Sequence, residues 1–154
     1  MSKGGSRLSE QTTCSAIISF ADKLEDNSSR FYEKLAEKSA ENKETFLAFA
    51  KESRKNKVLV TRTYQETITD ALEACFIQIN LSNYLAETTI KEDMSYLDAL
   101  EMAIELEERA SSFYFDVAEQ SKSLLATIPR AFRKVAEKRN NRKLKLKSLT
   151  KNLM

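Results

Sequence analysis

The chain contains no histidine at all. This absence removes the serine or cysteine activated by an imidazole, and it removes the commonest nitrogen ligand for a metal. Glycine is confined to Gly4 and Gly5 and proline to Pro129, so from Ser6 onward almost nothing breaks a helix. No glycine-rich phosphate loop can form. Only Cys14 and Cys75 carry thiols, without metal-site or CxxC spacing, which predicts two reduced cysteines in a cytoplasmic protein; a disulfide between them is the alternative. No apolar run approaches the roughly 20 residues of a membrane span, and Met1 to Ser6 lacks the apolar centre of a signal peptide. Net charge is small as well: 25 basic side chains stand against 23 acidic ones, so total charge selects no partner.

What remains is helical periodicity. The 154 residues are most simply one domain, long enough to bury roughly two thirds of the surface exposed when unfolded. Residues 1–8 read as a disordered tail and 9–154 as a single all-α four-helix bundle. A first helix is predicted after an N-cap at Ser9, running to about Ala40, with Ile17, Ala21, Leu24, Ser28, Phe31 and Leu35 on its inner stripe. A second spans roughly Asn42 to Thr67, with Phe46, Phe49, Ala50, Ser53, Lys57 and Val60 inward; its stripe turns polar halfway. Ile68 to Met94 reads as a long crossover of short helical pieces. The third helix starts at Ser95 and ends near Ser121, with Ala99, Ala103, Leu106, Ala110, Phe113 and Val117 inward. A fourth follows Thr127, with Pro129 in its first turn and Ile128, Phe132, Val135, Arg139, Arg142 or Lys143, Leu146 and Leu149 along its stripe.

The first and third helices repeat one signature, Glu25-x-x-Ser28-x-x-Phe31-Tyr32 and Glu107-x-x-Ala110-x-x-Phe113-Tyr114. At an offset of 82 residues nine of 25 positions coincide, several of them uncommon types, which points to an internal duplication. Each glutamate lies seven residues after an apolar residue and seven before a tyrosine, so each sits on a seam beside the core at mid-helix. A buried carboxylate is costly unless a cation or hydrogen-bond donors meet it. Something positive should lie between the two.

These segments, Leu24-Glu25 through Glu37 and Leu106-Glu107 through Glu119, resemble the ferritin-like superfamily, specifically its rubrerythrin-like branch of di-iron carboxylate proteins. The resemblance implies six ligand positions. On the second and fourth helices, where the family resembles Phe-Ala-x-x-Glu-x-x-His, this chain has Ser53 and Asn56 in one half and Arg139 and Arg142 in the other. Only Glu25 and Glu107 keep a metal-binding side chain, so the di-iron cofactor is expected to be lost and no other is predicted. Arg139, helped by Arg142, is expected to occupy the vacated volume as a fixed counter-ion to Glu25 and Glu107. Tyr32 and Tyr114 are expected beside them as core hydroxyl donors.

The expected function is a non-catalytic structural or interaction module, a homodimer by resemblance. One alternative is an oxidoreductase or metal-binding protein with a residual carboxylate site of Glu25, Glu107 and Glu52. Another is a polyanion binder acting through the fourth helix, which from Arg130 to Lys151 holds ten basic residues and only Glu137 as an acid. The seven acids of the third helix offer internal neutralisation, so nucleic acid is not the expected partner.

Overall fold

The computed structural model describes residues 11–67, 76–121 and 127–153. Its elements are a strand β1 (Gln11–Thr13), helices α1 (Cys14–Ala36) and α2 (Lys43–Thr67), a strand β2 (Phe76–Gln78), a 3-10 turn (Leu81–Tyr84), and helices α3 (Tyr96–Ser121) and α4 (Thr127–Leu153). The described residues are thus mostly helical, with four α-helices and one very small sheet among them. Helices α1 and α2 form one antiparallel hairpin and α3 and α4 the other; α2 also packs on α4. Among the described residues no helix is long and apolar enough to cross a membrane.

Most of the inner stripes bury as the spacing of their apolar residues requires; Leu24 and Phe49 are only partly covered, and Lys57, expected inward, turns to Asp26 near the surface while Asn56 takes the buried position. On α1, Ile17, Ala21, Ser28, Phe31 and Leu35 lose essentially all contact with solvent, and α3 buries Ala99, Ala103, Leu106, Ala110, Phe113 and Val117. The core falls into two apolar clusters. One gathers Ile17, Phe113, Val117, Phe132 and Val135 beside β2, and the other gathers Phe31, Leu35, Phe46, Leu100 and Leu146. Between them, at mid-helix, lies a layer of polar and charged side chains.

Several boundaries differ from expectation. Helix α1 starts at Cys14, not after Ser9, because Thr13 is the residue that caps it: its hydroxyl accepts the Ala16 amide at 3.0 Å. Ser9 and the tail 1–8 lie outside the described residues. The helix closes at Ala36 rather than near Ala40, where the Glu37 and Lys38 amides turn back to the Lys34 and Leu35 carbonyls. Helix α3 is capped by Ser95, whose hydroxyl accepts the Asp98 amide at 3.0 Å.

The crossover was expected to form short helical pieces; among its described residues Leu81–Tyr84 form one 3-10 turn, whereas Phe76–Gln78 form a strand instead. β2 pairs antiparallel with β1 in the register Gln11↔Gln78, Thr12↔Ile77 and Thr13↔Phe76, and the Thr12 hydroxyl donates to the Ile79 carbonyl at 2.7 Å. Ile77 and Ile79 point into the core while Phe76 and Gln78 stay outside, so the apolar residues that suggested helical pieces alternate with a period of two. Residues 68–75 lie outside the described residues.

A second correction concerns the thiols. Cys14, expected to be reduced, is disulfide-bonded; Cys75, the other cysteine of the chain, lies outside the described residues. A disulfide persists in oxidising surroundings, so the thiol argument for a cytoplasmic location falls.

Candidate functional site: a buried guanidinium and carboxylate cluster

The polar layer at the centre is built by one or two residues from each helix. Glu25 on α1 and Glu107 on α3 are fully buried, as are Ser28, Ser53, Asn56 and Arg139, and Arg142 is 2% exposed. Each glutamate stands one turn from a buried small residue of its own stripe, Ala21 or Ala103, which leaves room for a side chain reaching in from α4.

Arg139 supplies that side chain. Its Nη2 lies 2.8 Å from Glu25 Oε1 and its Nη1 lies 2.8 Å from Glu107 Oε2, so one planar guanidinium bridges carboxylates from two helices. Nη2 also donates to Ser28 Oγ at 2.9 Å, and the Ser28 hydroxyl donates in turn to the Leu24 carbonyl at 2.7 Å. Burial works against the charge of Arg139, but Glu107 and Glu25 outweigh it and hold the guanidinium protonated well above its ordinary range.

Arg142, one turn further along α4, closes the cluster on the α2 side. Its Nε donates to Glu52 Oε1 at 2.7 Å and its Nη1 to Ser53 Oγ at 2.9 Å, with a longer 3.4 Å approach to Glu107 Oε2. Its guanidinium carbon lies 5.6 Å from the ring centroids of both Tyr32 and Phe49, a stacking position that favours arginine over lysine. Glu52 is one-third exposed and forms the rim of the cluster.

The tyrosines close the arrangement crosswise. Tyr32, seven residues after Glu25, donates to Glu107, and Tyr114, seven residues after Glu107, donates to Glu25 Oε2 at 2.6 Å. Burial, followed by the negative charge of the neighbouring carboxylate, pushes both phenols well above the ordinary tyrosine range. The two halves of the chain therefore exchange equivalent hydrogen bonds about a local two-fold relation.

That relation breaks on α2 and α4. At matching positions α2 offers Ser53 and Asn56 while α4 offers Arg139 and Arg142. Two long side chains from one helix need two short ones opposite, and Ser53 and Asn56 supply both the space and hydrogen-bonding atoms. Asn56 Nδ2 reaches Glu25 Oε1 only at 3.4 Å. Asn56 Oδ1, Glu107 Oε1, Arg139 Nε and Arg142 Nη2 find no protein partner, so part of the desolvation of the cluster is not returned as hydrogen bonds.

The geometry brings together all six positions named from the resemblance, Glu25, Ser53, Asn56, Glu107, Arg139 and Arg142, with Tyr32 and Tyr114 beside them. Two members were not assigned to the charge cluster from sequence. Ser28 reads as a small packing residue, although a serine three residues after a buried acid is itself a signal. Glu52 was considered only as a metal ligand, and it is an ion-pair partner of Arg142.

The di-iron centre implied by the resemblance does not fit these residues. The volume between Glu25 and Glu107 is filled by a group that is itself cationic, and neither α2 nor α4 presents an imidazole or an inward carboxylate. Among the described residues no three histidine, cysteine, aspartate or glutamate side chains come together. No family model, curated protein or solved structure matches the chain.

Proposed function

We propose that the chain is a ferritin-like bundle of the rubrerythrin type in which arginine has replaced the di-iron centre, and that it acts as a non-catalytic structural or interaction module, assembled as a homodimer. The observation that carries this reading is the position of Arg139: fully buried and 2.8 Å from a carboxylate oxygen of each half. A guanidinium cannot exchange ligands, change oxidation state or give up its proton at physiological pH, so it supplies charge balance without chemistry. The crosswise tyrosines support the same reading, because each is committed as a donor to a carboxylate.

A residual carboxylate metal site of Glu25, Glu107 and Glu52 is less well supported. Glu52 lies on the outer side of Arg142 and is held by it, so assembling the three acids would require displacing two arginines from buried positions.

Two measurements test the proposal together. Protein produced in medium supplemented with iron and manganese should contain far less than one equivalent of either metal per chain. Arg139→Ala should lose about 3 to 5 kcal/mol of stability by urea unfolding, because it strands two buried carboxylates, and adding Glu25→Gln and Glu107→Gln to that variant should recover a large part of the loss. A stoichiometric transition metal on the glutamates, or a nearly silent Arg139→Ala, would overturn the reading.

A further inference from the structure

The small net charge conceals a strong division between the two sides of the bundle. Leaving out the buried Arg139 and Arg142, α2 and α4 carry fourteen basic side chains against four acidic ones. Leaving out the buried Glu25 and Glu107, α1 and α3 carry four basic against nine acidic. Internal neutralisation across the α3/α4 hairpin is realised at the surface by one described ion pair, Arg133 Nη2 to Glu119 Oε2 at 2.6 Å.

The uncompensated cations are aligned. At about 100° per residue, Arg130, Lys134, Lys138 and Lys145 of α4 fall within a sector of about 80°. Arg133, paired with Glu119, marks the side of α4 that faces α3, and Arg142, paired with Glu52, marks the side that faces α2; the four cations lean toward α2. On α2, Lys51, Lys55 and Arg62 share a sector of about 40°. There the α1 side is marked by Arg54 with Glu33 and Lys57 with Asp26 and the α4 side by Glu52 with Arg142, and the three cations lie between the two, on the outer side of the helix. All are exposed except Lys138, which is partly covered. None of the seven forms an ion pair with a carboxylate among the described residues.

We propose that the α2/α4 face docks the phosphate backbone of duplex nucleic acid without reading its bases. The α4 row is straight and about 22 Å long at 1.5 Å per residue, and duplex DNA presents one charge per roughly 1.7 Å, so the row follows about six base pairs. A rigid line of cations suits a linear polyanion better than a single small ion. The occupant is not a membrane surface, because the exposed apolar side chains of the two helices, Leu47 and Val58 on α2 and Leu144 and Leu153 on α4, stand about two and a half to three turns apart with lysines between them and form no continuous ridge to insert. Among the described side chains no aromatic interleaves the rows, so the contact is electrostatic and independent of sequence.

Fluorescence anisotropy with a labelled mixed-sequence 20-base-pair DNA duplex and the full chain tests this. Binding should be measurable at 50 mM salt and about 10³-fold weaker at 200 mM, the loss expected for about six neutralised phosphates. The variant Lys55→Gln/Lys134→Gln/Lys138→Gln/Lys145→Gln should weaken binding at least 100-fold while keeping the far-UV circular dichroism of the parent. A control with Lys23→Gln, Arg30→Gln, Lys34→Gln and Lys91→Gln, which removes the same charge outside α2 and α4, should change it by less than tenfold. No binding at 50 mM salt, equal losses in the two variants, or tighter binding to vesicles containing anionic lipid than to the duplex would each overturn the proposal.

Discussion

Two tyrosines and two glutamates at the centre of the bundle give the protein a pH dependence that can be worked out residue by residue. Tyr32 and Tyr114 are completely buried, and burial together with the charge of Glu107 and Glu25 raises both phenols above the value near 10 expected of an unfolded chain. The native state therefore keeps two protons that the unfolded state releases above pH 10. Their contribution to stability is complete below that pH and is lost as pH rises toward the folded values. Urea unfolding should show stability falling by about 1 kcal/mol for each tyrosine between pH 10 and pH 11, where other groups leave the balance unchanged. Tyr32→Phe/Tyr114→Phe should flatten that slope, and an unchanged slope in the double variant would place the alkaline sensitivity elsewhere.

Sequence and structure meet most closely at this scale where a residue conflicts with its surroundings. Glu25 and Glu107 are visible because a carboxylate on an apolar seam at mid-helix demands a partner, and Arg139 is visible because it interrupts the apolar stripe of α4 with a permanent charge. Ser28 creates no such conflict, since a small residue on an inner stripe is ordinary packing, and its acceptance of Arg139 Nη2 emerges only once α1 and α4 are in contact. The crosswise pairing of the tyrosines is hidden for the same reason. Either hydroxyl could serve the glutamate on its own helix as far as spacing shows, and only the packing of α1 against α3 assigns each to the other.

At the scale of elements, the helices follow from periodicity and the strands do not. Three residues at each of β1 and β2 are too few to establish a period, and Phe76 with Ile79 fits a helical stripe as readily as Ile77 with Ile79 fits one face of a strand. The pairing of β1 with β2 is a long-range event that fixes the start of α1 against the crossover, and it adjoins the buried disulfide at Cys14. A disulfide of a small domain commonly contributes about 2 to 4 kcal/mol, much of it by restricting the unfolded chain. Reductant should therefore lower the melting temperature of the native protein, while Cys14→Ala should start from a lower melting temperature and respond to reductant hardly at all. Equal melting temperatures with and without reductant in the native protein would show that the bond does not support the fold.

At the scale of the whole molecule, the central cluster and the charged faces respond oppositely to salt. The ion pairs of Arg139 are fully buried, so mobile ions screen them little, whereas the cations on the outer side of α2 and α4 repel one another through solvent. Like charges one turn apart on a helix each cost about 0.2 to 0.5 kcal/mol, and the rows Arg130, Lys134, Lys138 and Lys51, Lys55 contain three such contacts, with further repulsion between neighbouring helices. Surface pairs such as Arg54 with Glu33, both about half exposed, weaken with salt, but each contributes little. Five exposed ion pairs and these three repulsive contacts are of similar individual size, so their responses to salt largely cancel, and raising sodium chloride from 20 to 300 mM should change the stability of the native protein by less than about 1 kcal/mol. Glutamine at Lys55, Lys134, Lys138 and Lys145 removes all three contacts and leaves the pairs, so this variant should be more stable than the native protein by about 0.5 to 1.5 kcal/mol at 20 mM and should lose stability as salt is added. A variant no more stable than the native protein at 20 mM would show that the division of charge between the two sides carries no energetic cost for the fold.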